Sequence, residues 1–390
     1  MNNLKCQTIN LPILLQGVNL ANIITSNTSH QDHLVVNALK KLSMNESENS
    51  EDEIIEACKS IGSECSKGLA EKMVATKEGA YDKLIEITIN EDKSESVRNE
   101  ALAALAALLD TNPDPFDQRG FVAIMQGLSS PSMTSNALEL ALVVCVRHEH
   151  NRQNLMRNDI LKHLDAVFDS HPVRVARIWQ ALVQDDDVRV PYGKAHENAR
   201  AIVEEHQGLQ KLCGQLEVIQ SPQELALLLS CLSSLTVRNE YCQLVSDIGL
   251  QQVFHLLLQP EQNNNVLKEV LSVLKTLAGN DNVKKDICIS QKLPAVIATL
   301  SSHLVSEKKL SYIWLNQVVT HISFLLQSHK GICHAGSSAL GAICLRMPDN
   351  AQQVVTAGGA EALIQVLRTH KANAKISVSY FQFSSARWKS

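Results

Sequence analysis

The chain is poor in residues that interrupt helices and in residues that favour sheets. Its 390 residues include only 10 prolines, 16 glycines, 7 phenylalanines, 5 tyrosines and 3 tryptophans. Aromatic residues favour β-strands, whereas the abundant leucine and alanine of this chain favour helices. A chain of this length also exceeds one compact core of ordinary size. We therefore expect packed helices, arranged as several domains or as one repeat array.

Concentrated positive charge and paired cysteine motifs are also absent. The formal net charge is -5, and lysines cluster only in short pairs such as Lys284-Lys285 and Lys308-Lys309. This charge pattern argues against a nucleic-acid partner. The 10 cysteines include no C-x-x-C arrangement, and most stand among apolar helical residues. Because reduced thiols behave there as small hydrophobic groups, we expect a reducing compartment, the cytosol, with the nucleus as a second location.

No segment has the pattern of a secretion signal or a membrane span. The apolar run at 11–15 is short for a signal peptide and lacks a basic segment before it. The most apolar long window, 312–326, is too short for a bilayer and is interrupted by Asn316, Gln317, Thr320 and His321. We therefore expect neither secretion nor a membrane partner.

Residues 221–258 predict two helices joined by a turn. An apolar stripe at helical spacing consists of Leu225, Leu228, Leu229, Leu232 and Leu235. Ser221, Pro222 and Glu224 form the pattern of a capping box at the start of the first helix. The stripe cannot be buried by this segment alone, so the chain has to supply neighbours of the same kind.

Seven short segments repeat the arrangement of a small-residue turn followed by an apolar helix. The first strong apolar residues after each turn are Leu84, Ile124, Leu164, Leu212, Val253, Val296 and Leu363. The intervals between them are 40, 40, 48, 41, 43 and 67 residues. Five of the six lie in or within a residue of the roughly 40–47 residues of HEAT and armadillo repeats. The period predicts an all-α solenoid of about seven helical repeats, wound as a right-handed superhelix.

Both ends and two intervals depart from this period. We expect a partly disordered N-terminal tail over 1–45, a solenoid over 46–375 and an atypical C-terminal tail over 376–390. The 48-residue interval contains a long connection at 185–208. The 67-residue interval contains residues 309–330, which are either an insertion, from an alternative exon or a gene-model error, or an extra helix packed on the solenoid.

Five segments, in this order, resemble a known family. They are VRHEHNRQNL at 146–155, DDDVRVPYGKAHENARAIV at 185–203, LTVRNEYCQLV at 235–245, LAGNDNVKKDI at 277–287 and LRMPDNAQQVV at 345–355. Together they resemble the armadillo-repeat-containing protein six family. Residues 1–15 stand where the family has a longer acidic extension and residues 376–390 where it has a final repeat, so the chain resembles a truncated or variant member. The resemblance implies an armadillo solenoid, usually cytosolic and without known catalysis.

Residues 185–196 are the first candidate contact surface, because they form a long connection that is not part of the general repeat. Their candidate residues are Asp185, Asp186, Asp187, Arg189, Tyr192 and His196. The three aspartates could attract a cation or a basic peptide, or could lie at a solvated helix end, and the arginine can neutralise part of their charge. The order lacks the alternating ligands of a calcium loop. We expect this segment to lie at a groove edge and contact a protein or peptide partner.

Asparagines and a tryptophan give weaker signals. Asn239, Asn280 and Asn350 follow the long helices, where asparagine can cap a helix or contact a ligand. We favour capping and keep Asn239 as a further candidate contact residue. Nuclear-import carriers of the armadillo class use a ladder of Trp and Asn, but here Trp179 is followed at that spacing by Val183.

No constellation predicts catalysis, a metal or a cofactor. His148 and His150 are two residues apart and would point to different sides of a helix. No cysteine stands in a catalytic context, and Gly358-Gly359 lacks the further glycines and lysine of a phosphate loop. We therefore expect a monomeric, non-enzymatic scaffold that holds a peptide or partner domain on its concave face. The alternative is a small-GTPase regulator or a chaperone-like protein that binds folding clients.

Overall fold

The computed structural model describes residues 34–43, 50–259, 263–289, 330–356 and 358–370. Every regular element in these ranges is helical, as predicted. The helices are α1 (Leu34–Ser43), α2 (Glu51–Cys65), α3 (Leu69–Lys77), α4 (Ala80–Ile89), α5 (Glu95–Leu109), α6 (Gln118–Ser129), α7 (Thr134–Cys145), α8 (Glu149–Arg157), α9 (Ile160–Val167), α10 (Pro172–Leu182), α11 (Ala195–Arg200), α12 (Gly208–Gln215), α13 (Pro222–Leu235), α14 (Asn239–Leu258), α15 (Asn264–Leu277), α16 (Asp281–Ile289), α17 (Lys330–Cys344), α18 (Pro348–Thr356) and α19 (Gly359–Thr369). A π-helical turn, Ala201–Glu205, directly follows α11.

The chain divides into two compact units, Met1–Val144 and Cys145–Ser390. The N-terminal unit holds α1 to α6 and α7 up to its last residue, and the C-terminal unit holds α8 to α19. Helix α1 lies inside the predicted tail 1–45. The rest of that tail, residues 309–329 of the predicted insertion and the predicted tail 376–390 lie outside the described residues.

Each unit is built from long helices that pack side by side, with shorter helices beside them. In the N-terminal unit α2 packs on α5, and in the C-terminal unit α10, α13, α15 and α17 form a row. The predicted stripe of α13 is buried, and the hydroxyl of Ser221 accepts the Glu224 N–H (3.5 Å) at the helix start. Six of the seven predicted anchors are also buried, at 0–1% exposure, and the seventh, Val296, lies outside the described residues.

One predicted turn is wrong. The small-residue turn predicted before the anchor Val253 falls at Ile248-Gly249, but α14 runs through both residues as one helix of 20 residues. Gly249 is buried where α14 approaches α12. A Cβ added there would lie 2.5 Å from the Sγ of Cys213, so the glycine provides close approach between two helices.

Replacing Gly249 by alanine tests this packing. Alanine normally stabilises a helix interior by roughly 1 kcal/mol. We expect Gly249→Ala instead to lower the urea midpoint, with a net cost of about 1–2 kcal/mol, because the added methyl group overlaps Cys213.

Gly214 in α12 is the matched control, because nothing lies within 4 Å of an added Cβ there. Gly214→Ala should leave stability unchanged or raised, and Cys213→Ala should relieve most of the cost of Gly249→Ala. If Gly249→Ala is more stable than wild type, the approach of α14 to α12 leaves room for a methyl group at this position.

Candidate functional site

Buried polar side chains near the starts of helices bind the C-terminal ends of the long helices. The residues are Lys72, Arg152, Asn198, Cys242, Lys284 and Asn350, each at most 5% exposed. The first five are the fourth residue of their helix, and the sixth is the third residue of α18. The last carbonyl groups of a helix have no partner within the helix, so these side chains satisfy acceptors that packing has removed from water. We name this set the carbonyl-binding residues.

The same geometry recurs along the chain. Lys72 Nζ donates to the carbonyl of Asp110 (2.7 Å) at the end of α5, and Lys284 Nζ donates to that of Leu345 (3.0 Å) after α17. The amide of Asn198 donates to the carbonyl of Leu182 (2.8 Å) at the end of α10. The weakest example is the thiol of Cys242, which lies 3.5 Å from the Thr276 carbonyl. Of the carbonyl-binding residues, the sequence pattern singled out only Asn350, and it placed Lys284 in a lysine pair.

Arg152 is the most connected member of the set, and it reaches into the candidate segment 185–196. It is 1% exposed and donates to the carbonyls of Cys145 (2.8 Å) and Gln184 (2.7 Å). Its guanidinium also contacts the carboxylates of Glu149 (3.4 Å) and Asp186. Arg152 therefore joins the end of α7, the start of α8 and the end of α10.

Asp187 anchors the candidate segment to the start of α8. It is buried, and its carboxylate accepts the backbone N–H of Glu149 (2.9 Å) and both the N–H (3.0 Å) and the Nε–H (2.9 Å) of Arg189. The Arg189 guanidinium and the two backbone N–H groups hold the pKa of Asp187 well below its usual range, against the opposing effect of burial. The pairing of Arg189 with the aspartates is as predicted, whereas the anchoring of Asp187 to the start of α8 was not predicted.

The middle of the segment is exposed although its two ends are held. Val188 is 100% exposed and Tyr192 is 90% exposed. The Lys194 N–H donates to Oε1 of Glu149 (2.8 Å), and a Cβ at Gly193 would lie 2.9 Å from a carboxylate oxygen of Asp185. The segment therefore presents a valine and a tyrosine on a backbone that is tied at both ends.

The remaining candidates are Asp185, Asp186, His196 and Asn239. Asp185, Asp186 and His196 are exposed, and Asp186 also pairs with Arg152. Asn239 is exposed in the first turn of α14, where its carbonyl accepts from Asn280 (2.8 Å).

Two of the three asparagines act as the favoured capping interpretation predicts. The side-chain oxygen of Asn280 accepts the Asn282 N–H (2.8 Å) at the start of α16. The buried amide of Asn350 donates to the carbonyl of Ile343 (3.1 Å). Trp179 is fully buried and stacks on Phe168, with ring centroids 5.2 Å apart.

The described residues show little that resembles a catalytic centre. Two clefts of about 250 and 400 Å³ open between α12 and α14, and Cys213 lines the smaller one. Burial raises the pKa of Cys213 to about 12, which keeps the thiol un-ionised and a poor nucleophile. No group of three His, Cys, Asp or Glu in the described ranges could hold a metal ion. No helix among them is long and apolar enough to cross a membrane.

Solved structures show the same architecture. An engineered protein matches with a TM-score of 0.58 at 14% identity, over 91% of this chain and 89% of its own. A designed armadillo repeat protein, solved in complex with the peptide (KR)4, matches with a TM-score of 0.52 at 16% identity, over 68% of this chain and 98% of its own. The fold is therefore an armadillo-repeat solenoid, as predicted.

Sequence comparisons identify the family within this class. The ARMC6 family model matches residues 34–325. Armadillo repeat-containing protein 6 homolog of Drosophila melanogaster is 32% identical over 333 residues, 81% of this chain and 71% of its own length. Human armadillo repeat-containing protein 6 is 27% identical over 366 residues, 86% of this chain and 68% of its own length. The chain belongs to the ARMC6 family, which confirms the resemblance seen in its motifs.

The Asp187 anchor predicts a pH-dependent contribution to stability. Its folded-state pKa lies below the value of about 3.9 for an unfolded aspartate. The stabilisation is therefore complete above that value and is lost as the pH falls toward the folded-state pKa. We expect Asp187→Asn to lower the free energy of unfolding by about 1–3 kcal/mol at pH 7, and this difference from wild type to shrink below pH ~4, as measured by urea unfolding across this range.

The exposed Asp185 is the control, with an expected cost below about 0.5 kcal/mol for Asp185→Asn. A cost that does not change with pH would contradict the anchor.

Thiol labelling tests the assignment of the cysteines to the core. The structure describes eight free cysteines, all buried, and burial raises the pKa of Cys58 and Cys145 to about 12. We expect iodoacetamide at pH 8 to alkylate these eight at least about a hundredfold more slowly in the native protein than in urea, as read by peptide mass spectrometry. Fast alkylation of Cys145 or Cys213 in the native protein would show a reactive thiol and would contradict the assignment of that cysteine to the core.

Proposed function

We propose that this protein is a non-catalytic interaction scaffold that binds a protein or peptide partner along its long helices. The supporting observation is the row of α10, α13, α15 and α17 in the C-terminal unit. Gln180 donates to the hydroxyl of Ser230 (2.9 Å), and Ser233 shares a hydrogen bond with Thr276 (2.9 Å). Small polar side chains let the backbone of a partner approach closely. Curved stacks of helical repeats present such rows of side chains on their concave surface.

The segment 185–196 adds a second contact at the end of α10. A loop whose backbone is already ordered loses little conformational entropy on binding. Aromatic side chains such as Tyr192 are typical anchors at protein interfaces. We propose Val188, Tyr192, Asp185 and His196 as contact residues, held in place by Asp187, Arg189 and Asp186, with Asn239 as a separate contact on α14.

We propose the cytosol as the location, with the nucleus as a second one. The eight buried free cysteines of the described residues suit a reducing compartment.

Surface substitutions test the contact without disturbing the anchor. Replacing all three aspartates would also remove the Asp187 anchor, so the exposed residues are the better targets. We expect Val188→Ser/Tyr192→Ala to lower capture of specific partners from cell extract about tenfold, as measured by quantitative mass spectrometry, while the unfolding midpoint stays unchanged.

Val218, 64% exposed in another connection, is the matched control. Val218→Ser should capture the same proteins as wild type. Capture that depends on bound nucleotide would identify a GTPase as the partner, and capture of unfolded clients would identify a chaperone-like function. Equal capture by all three baits would rule out this segment as a contact surface.

A further inference from the structure

The solvent-facing side of the row in the C-terminal unit carries positive charge. Arg177 on α10 and Lys268 and Lys275 on α15 are exposed. Glu269 pairs with Lys268 (2.9 Å), and Glu224 lies in the first turn of α13. Within the described residues Arg177 and Lys275 have no ion pair or side-chain hydrogen bond, so their charges are available to a ligand.

Contacts between side chains show that the row is continuous. Gln180 bridges α10 and α13, and Thr276 joins α15 to α13. The Lys268 stem passes over Gly331 of α17, where an added Cβ would lie 3.3 Å from Cδ of the lysine. Packed helices lie about 8–10 Å apart, so four of them span about 25–30 Å. An extended peptide rises about 3.3 Å per residue, so about eight residues cover the row.

The small polar side chains of the row, which we call its floor, suit a peptide backbone. They include Ser230, Ser233, Ser234, Ser272 and Thr276. Two of its hydroxyls donate within their own helices: Ser234 to the Ser230 carbonyl (3.0 Å) and Thr276 to the Ser272 carbonyl (3.0 Å). The hydroxyl oxygens keep lone pairs that can accept N–H groups of a bound chain. Leu227 of α13, which is 37% exposed, adds one large apolar side chain to this surface.

The long helices of the N-terminal unit have the opposite charge. Glu56 on α2, Glu100 on α5 and Glu139 on α7 are at least partly exposed, and the lysine of α2, Lys59, lies 3.9 Å from Glu100. Positive charge is therefore a property of the C-terminal row and not of the long helices in general.

We infer that the row of α10, α13, α15 and α17 binds an acidic peptide in extended conformation, an inference that rests on the proposed function. The floor accommodates the backbone, and Arg177 and Lys275 select Asp or Glu side chains by charge. Exposed ion pairs are individually weak and are screened by salt, so selectivity should depend strongly on ionic strength.

Fluorescence anisotropy with octapeptides tests this inference on the full chain. We expect the labelled peptide (Glu-Ser)4 to bind more tightly than (Gln-Ser)4 and (Lys-Ser)4, and more weakly as salt is raised. Arg177→Glu/Lys275→Glu should weaken (Glu-Ser)4 binding about tenfold or more, because attraction becomes repulsion at two positions. Lys77→Glu/Lys162→Glu makes the same change in net charge at exposed positions on α3 and α9 and should leave binding intact.

Four outcomes would overturn the inference. Tighter binding of (Lys-Ser)4 to the wild-type chain would show that the acidic surface of the other unit dominates. Equal losses in both charge-reversed variants would show a non-specific effect of net charge. Light scattering that reveals self-association lost only in Arg177→Glu/Lys275→Glu would assign the row to a second copy of the chain. Failure to bind acidic peptides, together with specific partner capture that depends on Tyr192, would leave the proposed function standing and remove only the acidic specificity.

Discussion

The long helices end in carbonyl groups that packing removes from water, and the structure depends on how these groups are satisfied. A buried acceptor without a partner costs about 1–3 kcal/mol. Lys72, Arg152 and Lys284 supply donors from a neighbouring short helix, and their positive charge also suits the negative end of the helix dipole. Each of these side chains therefore locks a short helix to the end of a long one. Hydrophobic stripes supply most of the packing energy, but they do not fix this alignment.

The same constraint explains why charged residues have two separate functions here. Arg152, Asp187 and Glu149 face inward and hold the segment 185–196 against the start of α8. The charges that remain for recognition are those that no neighbouring element needs, such as Arg177 and Lys275. An acidic run in the sequence is thus mostly structural, and the residues between its anchors are the ones presented to a partner.

The sequence predicted the helices well because burial leaves a direct pattern. The five stripe leucines of α13, from Leu225 to Leu235, recur at helical spacing, and all five are buried. Contacts between residues that are far apart in the sequence leave no such pattern. Lys284 resembles half of a surface pair, since its carbonyl partner Leu345 lies 61 residues away. Gly249 resembles a turn residue, and only Cys213 on another helix shows that it provides close approach. Asp187 could be recognised as an anchor only once α8 was placed beside it.

Amide hydrogen exchange on a Lys72→Met variant tests the central claim most directly. The methionine keeps the apolar stem but removes the donor to the Asp110 carbonyl. We predict faster exchange in α3 and at the end of α5, with α10, α13 and α15 unchanged, because repeats contact only their neighbours. Unchanged exchange at the end of α5, or an equal increase in every helix, would contradict the claim that these buried donors hold each long helix locally.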